Sequence, residues 1–346
     1  MSGPWRQNTI LVRKGNRALE NFKSFITEEE KDEPYKLLIL SHDDPLDPNE
    51  TGPMVRKKAS ELGIEVYLAE FSGMYMEDKG KDQLVYSFPV DEEGKAELPG
   101  MKDDVEYDKP FRINPENTLI MARGIGSTVK TGNLSWRVAC LNLESQGYTL
   151  INPIECHDIC NDKWHNQIIF QRENIRTPNT VLVRHSEGAE EATERLGDKF
   201  PMILKTAVGS RGVGVIWVES LKSLHSIIQL LHREDEFVDI LLQEYIKTDY
   251  DVRVIVAAGK ILGAIKRPVV GDDFRSNVSQ GSEPEMHELT EMEAEQSIRA
   301  AESVSGQVVG VDFIPAKDRD KESPYFIEVN STPGLRGIEA VLSKSA

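Results

Sequence analysis

The chain has 346 residues, 39% of them apolar and 29% charged, with a net charge of −17 at neutral pH. That length suits two or three packed subdomains rather than one small core, and the acidic average field disfavours a nucleic-acid partner while still allowing a local basic pocket for phosphate. There is no apolar run of the roughly 18 residues that a membrane span needs, MSGPWRQNTI lacks the apolar core of a signal peptide, and a sparse, odd cysteine count suits a reducing cytoplasm, so no membrane association is expected.

In chain order, residues 1–35 are polar and charged and read as an N-terminal extension, part of it helical. Strand signal begins at 36–42 (KLLILSH), followed by a turn cluster at 43–49, helical spacing at 54–62 and a second strand at 65–71 (EVYLAEF). This β-α-β order predicts a small open parallel sheet. Residues 78–110 are charged and rich in Gly and Pro and read as an inserted hairpin or a long loop. A third strand at 118–123, a helix at 134–146 and a fourth strand at 149–152 follow. Cys156-His157-x-x-Cys160 has the wrong spacing for a zinc knuckle and no second pair, so Cys140, Cys156 and Cys160 read as plain thiols.

Near Asn161 the pattern changes. Residues 163–174 predict an amphipathic helix ending before Pro178. Strands at 180–183 and 202–206 flank a helix at 190–199, and 213–218 pairs back on 202–206 across a glycine-rich turn. Residues 221–233 predict a helix with Leu221, Leu224, Ile227, Ile228 and Leu231 on one face. The last third is antiparallel in character: strands at 240–246, 252–257 and 261–267, the last two joined at Ala258-Gly259-Lys260, then a helix at 290–303 and a hairpin of 308–314 with 325–330.

Four constellations carry chemistry. Lys205 ends a strand and enters a loop with Gly209, Gly212 and Gly214, whose bare backbone lets N–H groups approach phosphate oxygens while the lysine neutralises charge. A strand follows the loop, which excludes the helix-opening Rossmann and Walker turns; an ordinary glycine-rich hairpin has the same form. Asp312, Glu328 and Asn330 lie on otherwise apolar strands, and Glu328 and Asn330, two apart, share a face. Such oxygens are costly there unless satisfied, and magnesium with ATP phosphates would satisfy them; the other reading is a solvent-facing edge. Gln243-Glu244-Tyr245-Ile246, then Asp251 and Arg253, form a strand break able to present backbone groups to an adenine edge and a carboxylate to a ribose, or simply a strand-turn-strand. Lys266-Arg267 and Asp273-Phe-Arg275-Ser-Asn277 are either anion clamps or a solvated basic loop.

Taken in order, these pieces resemble the ATP-grasp superfamily, and within it the RimK-type ligases that add glutamate to the C-terminus of a ribosomal protein. The matching runs are Asn161-Asp162-Lys163, PMILKTAVGSRGVGV, LLQEYIKTDYDVRV, GDDFRSN, GVDFIP and FIEVNSTPGLRGIE, spread over about residues 36–340 and dense from Asp162 onward. The resemblance implies an α/β (α+β) ATP-grasp fold. An N-terminal open parallel α/β substrate subdomain (36–160) would precede two α+β subdomains that sandwich ATP, a central one with a Gly-rich flap (161–242) and a C-terminal one with the magnesium site (243–346).

Residue by residue, the resemblance implies that Lys163 and Lys205 bind ATP phosphates under a flap containing Gly209, Ser210, Arg211, Gly212 and Gly214. Gln243, Glu244, Tyr245 and Ile246 would hold adenine, and Asp251 the ribose. Asp312, Glu328 and Asn330 would ligate magnesium, with two ions expected and manganese able to substitute. Arg275 would stabilise the phosphoryl and acyl-phosphate groups, Arg267 and Asn277 would contact substrate or phosphate, and Arg123-Gly-Ile-Gly126 resembles a substrate-side loop. The implied activity is ATP-dependent carboxylate–amine ligation through an acyl phosphate, adding an amino acid such as glutamate to a peptide, a protein C-terminus or a small acceptor, with no covalent enzyme nucleophile. Relatives that form dimers or tetramers make a homo-oligomer an available assembly. The extension before residue 36 and the 78–110 insert depart from the family pattern, so the acceptor does not carry over. Two other functions fit the same residues: a kinase on this fold, marked by a stable phosphorylated product without an amine requirement, and a non-catalytic nucleotide-binding module, which loss of the magnesium ligands would favour.

Overall fold

The computed structural model describes residues 35–41, 51–70, 74–76, 80, 83–85, 111–123, 134–208, 214–235, 238–269 and 283–344. The expectations for the N-terminal extension, the 43–49 turn cluster, most of the 78–110 insert and Gly124-Ile-Gly126 lie outside the described residues. The chain divides into two compact units, one of residues 1–157, 305–308 and 332–336, the other of 158–304, 309–331 and 337–346.

In the first unit, β1 (Lys36–Ser41), α1 (Thr51–Glu61), β2 (Glu65–Glu70), β6 (Thr118–Ala122), α2 (Leu134–Ser145) and β7 (Thr149–Ile151) give the expected parallel sheet, in the order β2-β1-β6-β7. The middle of β1, Leu37 to Leu40, is apolar because both its faces are covered. Leu38 and Leu40 join Ile120, Ala122 and Leu143 on one side, and Leu37 and Ile39 meet Ala59, Val55 and Met121 on the other. β3 (Met74–Tyr75), β4 (Gln83–Val85) and β5 (Phe111–Ile113) form a small antiparallel sheet, so the insert supplies its middle strand. After β7, Asn152 acts as a surrogate backbone. Its Oδ1 accepts from Gln307 N–H (2.7 Å) and Val308 N–H (2.8 Å), and its Nδ2 donates to the Val308 carbonyl (2.7 Å). The short helix α3 (Ile154–Asn161) has no counterpart in the sequence expectations.

The second unit carries two sheets. β8 (Thr180–Val183), β9 (Met202–Thr206), β10 (Val215–Val218) and β11 (Ile240–Glu244) pair antiparallel in the order β10-β9-β11-β8. One face of this sheet packs on α5 (Ala189–Arg195) and α6 (Leu221–Glu234), where Leu224 and Ile228 meet Met202, Leu204, Ile240 and Leu242. β12 (Tyr250–Ala257), β13 (Lys260–Pro268), β14 (Glu285–Met286), β15 (Val308–Ile314) and β16 (Tyr325–Asn330) form the other, in the order β14-β13-β12-β15-β16. α4 (Lys163–Arg172) and α7 (Glu291–Ser303) cover one face of it: the Phe170 ring meets Phe326, and Phe326 meets Phe313. α8 (Arg336–Lys344) follows β16. Among the described residues no helix is long and apolar enough to cross a membrane.

Three expected boundaries are corrected. The helix expected over 163–174 ends at Arg172, because Asn174 takes a left-handed φ of 52° and the N–H groups of Asn174 and Ile175 close back on Gln171 and Phe170 in a Schellman cap. The helix expected over 190–199 ends at Arg195 for the same reason, with Gly197 at φ 79° and Gly197 and Asp198 donating to Glu194 and Thr193. The strand expected over 240–246 ends at Glu244. Its neighbours begin at Thr180 and Met202, just after Pro178 and Pro201, which have no N–H to extend a ladder.

A buried network caps α7. Thr290 and Glu293 form a reciprocal capping box, and the Glu293 carboxylate also receives Arg319 (2.9 and 2.8 Å) and lies 3.3 Å from His287 Nε2. Burial opposes ionisation of Glu293, but hydrogen bonds from Arg319, His287 and the Thr290 N–H outweigh it and hold the carboxyl at about 2. A carboxylate lowered on folding stabilises the fold above its unfolded value near 4.5 and loses that contribution as pH falls toward 2. Urea unfolding at pH 6 and pH 3 should therefore show an acid loss of about 2 kcal/mol that Glu293→Gln lacks. An equal loss in both proteins would rule Glu293 out as its source.

Candidate nucleotide and metal site

The free face of the five-stranded sheet carries a polar cluster built by strand alternation. Asp251 and Arg253 are two apart on β12, Arg267 stands opposite Asp251 on β13, and Asp312 stands opposite Glu328 across β15 and β16, with Asn330 two pairs further along. Arg253 grips Asp312 through two N–H donors, Nε to Oδ1 at 2.7 Å and Nη2 to Oδ2 at 2.5 Å. Arg267 grips Asp251 in the same way (2.7 and 2.6 Å) and also donates to Asp312 Oδ2 at 3.1 Å. Asp312 and Arg267 are almost fully buried. Burial disfavours the Asp312 carboxylate, but Arg253 and Arg267 overcome that and hold it well below its ordinary range; burial likewise opposes the charge on Arg267, and Asp312 and Asp251 raise its guanidinium above its usual value.

Asn330 Nδ2 lies 3.2 Å from Glu328 Oε1 and 3.4 Å from Asp312 Oδ2, so all three proposed metal ligands meet at one point. Among the described residues no group of three or more His, Cys, Asp or Glu side chains is placed to hold a metal. An ion here would have two carboxylates and one amide, with the remaining positions left to phosphate oxygens and water. That hard, incomplete oxygen set fits magnesium. Asp312 retains acceptor capacity on Oδ1, which among the described residues takes the Arg253 Nε bond alone.

Two lysines face this point. Asp162 caps α4, accepting from Trp164 and His165 N–H (2.8 and 3.1 Å), and Lys163 N–H donates to the Ala207 carbonyl at 2.9 Å. An Asp162–Val208 bridge completes the tie, so the start of α4 is fastened beside the end of β9, where Lys205 sits. Burial lowers both ammonium groups, Lys205 to about 8, and the Glu328 carboxylate pulls both back up. Lys205 Nζ donates to Gln243 Oε1 (2.8 Å), and Gln243 Nε2 donates to Thr180 Oγ1 (2.7 Å). The Gln243 side chain thus links Lys205 to Thr180. Asn179 N–H donates to Glu244 Oε1 at 2.7 Å, while Tyr245 and Ile246 lie beyond the sheet register. At the end of the glycine loop, Gly214 takes φ 79° and a Cβ there would come within 2.7 Å of Thr206 Oγ1, so only glycine closes the loop onto β9.

The structure therefore brings together Lys163, Lys205 and Gln243 on one side, and Asp251, Arg267, Asp312, Glu328 and Asn330 on the other. Gly209, Ser210, Arg211, Gly212, Arg275 and Asn277 lie outside the described residues. Arg253 was named with the strand break after Ile246 but was given no role of its own there. Its signal is its place two residues after Asp251 on the same strand face. The thiols of Cys140 and Cys156 are buried, and burial with nearby Glu144 pushes Cys140 up, which disfavours thiolate chemistry. Burial lowers Arg123 to about 10.

Residues 160–345 match the model of the RimK-like ATP-grasp domain. A probable alpha-L-glutamate ligase of Rhodopirellula baltica is 36% identical over 181 residues, which is 52% of this chain and 43% of that protein. The curated relatives that this chain matches are spanned over 43–65% of their own length. Among solved structures, the ATP-grasp ligase PsnB complexed with minimal precursor, Mg and ADP aligns with a TM-score of 0.58 at 15% identity, over 88% of this chain and 92% of that one. D-alanine–D-alanine ligase from Bacillus anthracis complexed with ATP aligns at 0.56 and 18%, over 89% and 92%. At those identities the structural matches speak for the fold alone.

Proposed function

The chain belongs to the RimK-like ATP-grasp family, and from that premise we propose that it is a ligase that spends ATP to join a carboxylate to an amine through an acyl phosphate. The observation that carries this reading is the convergence of Lys163 and Lys205 on the Glu328 carboxylate, beside Asp312 and Asn330. Lys163 and Lys205 take the phosphates, and Asp251, oriented by the two-point grip of Arg267, takes a ribose hydroxyl. Among the described residues three N–H donations of Arg267 go to Asp251 and Asp312 and none comes from Nη1, whose donors take a phosphoryl or substrate oxygen. Asp312, Glu328 and Asn330 would hold magnesium, two ions in all, which supplies charge neutralisation at the phosphate oxygens when bound. Arg275 and Asn277 complete the anion clamp, and the Gly209–Gly214 loop covers the triphosphate.

In the first half-reaction an acceptor carboxylate oxygen attacks the γ-phosphorus, the bond to the β,γ-bridging oxygen breaks, and ADP leaves. In the second an amine attacks the acyl carbon, phosphate departs with the electron pair of the C–O bond, and the amine loses a proton. The lysines and arginines position and neutralise the phosphate oxygens in both. The relatives' name, alpha-L-glutamate ligase, supports glutamate as the amino acid added, and the precursor held by PsnB supports a peptide carboxylate as acceptor. The chain acts in the cytoplasm, and a homo-oligomer is compatible with it. A phosphate-release screen of the twenty amino acids against a peptide library, with products identified by mass spectrometry, tests the reading. An amino-acid- and peptide-dependent release with a matching mass gain is expected; release independent of any amine would contradict it.

Lys205 gives the site a pH signature. With its amine at about 8 in the free protein, it is largely neutral at pH 9 and largely charged at pH 7. A bound triphosphate favours the charged form, so ATP binding should take up close to one proton at pH 9 and almost none at pH 7. Calorimetric titration in buffers of differing ionisation enthalpy measures this. Uptake of the same size in Lys205→Met would clear Lys205 of the role.

A further inference from the structure

The chain passes from the five-stranded sheet to the four-stranded one over residues 176–180. Arg176 is still fastened to the first, its carbonyl accepting from Phe326 N–H at 2.8 Å, and Asn179 already to the second, its carbonyl accepting from Glu244 N–H at 3.0 Å. Thr177 and Pro178 span the step, and the Pro178 carbonyl is its joint. Gln167 Nε2, from α4, donates to that carbonyl at 3.3 Å and also to Thr177 Oγ1. Thr180 Oγ1, from β8, donates to it at 2.9 Å. A carbonyl can only accept, so Thr180 gives its single hydroxyl hydrogen there and offers lone pairs to Gln243 Nε2, 2.7 Å away on the facing strand. That fixes how the Gln243 amide points, with its nitrogen to Thr180 and its oxygen to Lys205 Nζ at 2.8 Å. The bonds thus run in one sense, from an obligatory acceptor at Pro178 to an obligatory donor at Lys205. Gln167 and Gln243 are both buried, where an amide left without its partner is costly, so each bond constrains the next. Gln167 also lies one turn after Lys163 on the same face of α4. One polar path therefore starts at Lys205, crosses between the sheets at a single oxygen atom and ends one helical turn from Lys163.

We propose that Thr180 and Gln167 are positioning residues for the phosphate grip, setting Lys205 and Lys163 against one another through the Pro178 carbonyl. Each acts through a lysine and not on the nucleotide itself. Thr180 turns the Gln243 amide so that its oxygen holds the Lys205 ammonium at the end of β9. Gln167 pins the first turns of α4, and with them Lys163, to the same carbonyl. The two ammonium groups are then held before the triphosphate arrives, and binding loses less side-chain freedom. The inference rests on the nucleotide-dependent reading of the same site.

Calorimetric affinities of the full chain for ATP and for inorganic tripolyphosphate, each with magnesium, test it. Thr180→Val keeps the shape of the side chain and removes both of its hydrogen bonds. It should weaken ATP and tripolyphosphate alike by roughly 3- to 10-fold, the cost of immobilising a long side chain that is no longer held beforehand. Thr180→Ser, which keeps the hydroxyl, should restore most of the loss. In a Lys205→Met background Thr180→Val should cost nothing more, because the lysine it positions is gone. Gln167→Leu should weaken both ligands in the same way, with its effect erased by Lys163→Met. A Thr180→Val loss of equal size with and without Lys205 would make Thr180 a structural residue, and a loss confined to ATP would place its action on the base; either result, or no loss at all, overturns the inference. If Thr180→Val does not fold, the Gln167→Leu and Lys163→Met cycle decides by the same criterion. A wild type that binds neither ligand removes the nucleotide reading itself, whereas one that binds both while the cycles show no coupling overturns this inference alone.

Discussion

Glu328→Gln is expected to abolish turnover, by about a thousandfold or more, without unfolding the protein. A thousandfold corresponds to about 4 kcal/mol of lost transition-state stabilisation, within what a metal-held phosphoryl group supplies. The amide keeps the size of the side chain but removes the one charge that faces Asp312 across the strand pair and pulls on Lys163 and Lys205 together. Both lysines then become easier to deprotonate, so nucleotide grip weakens as metal binding fails. Glu328 is only half-buried and its carboxylate receives Asn330 alone among the described side chains, so the melting temperature should hold. Single-turnover assays at millimolar magnesium and a thermal melt check both halves. Full activity would remove Glu328 from the site.

Arg267→Met is the second large effect, and it acts first on stability. It leaves Asp251 without its two-point partner and takes one of the two arginines from fully buried Asp312. Breaking a buried pair by removing one partner costs about 3–5 kcal/mol, because the charge left behind stays desolvated. Adding Asp251→Asn should recover part of that stability by removing the stranded charge, but none of the turnover, since the Nη1 donors are still missing. Denaturant unfolding of the single and double variants reads the coupling. Equal stability of Arg267→Met and wild type would mean that the network holds nothing together.

Much of this was legible in the sequence because local rules agreed with the fold. The apolar run at β1, the Ala258-Gly259-Lys260 turn between β12 and β13 and the helical stripe of α6 each fixed an element. The spacing of Glu328 and Asn330 put two oxygen-bearing side chains on one face. What escaped was what depends on partners distant in sequence. The strand at 240–246 looked continuous because nothing local to Tyr245 says that Pro178 and Pro201 have ended the neighbouring strands. The helix ends at Asn174 and Gly197 were mis-set because propensity runs on through residues whose left-handed φ closes a cap. α3, β14 and α8 are short, with too few turns or residues for a period to show. Arg253 was placed with the strand break and given no partner, because its partner Asp312 lies fifty-nine positions away.

The central claim is that the activated species is an acyl phosphate, and hydroxylamine meets it directly. With ATP, magnesium and the accepting peptide but no amino acid, hydroxylamine should convert the peptide carboxyl to a hydroxamate, with ADP and phosphate released in equal amounts. With the amino acid in place of hydroxylamine, the same stoichiometry should accompany a product heavier by one amino-acid residue. A stable phosphorylated peptide, with no hydroxamate and no free phosphate, would contradict the ligase and make the protein a kinase.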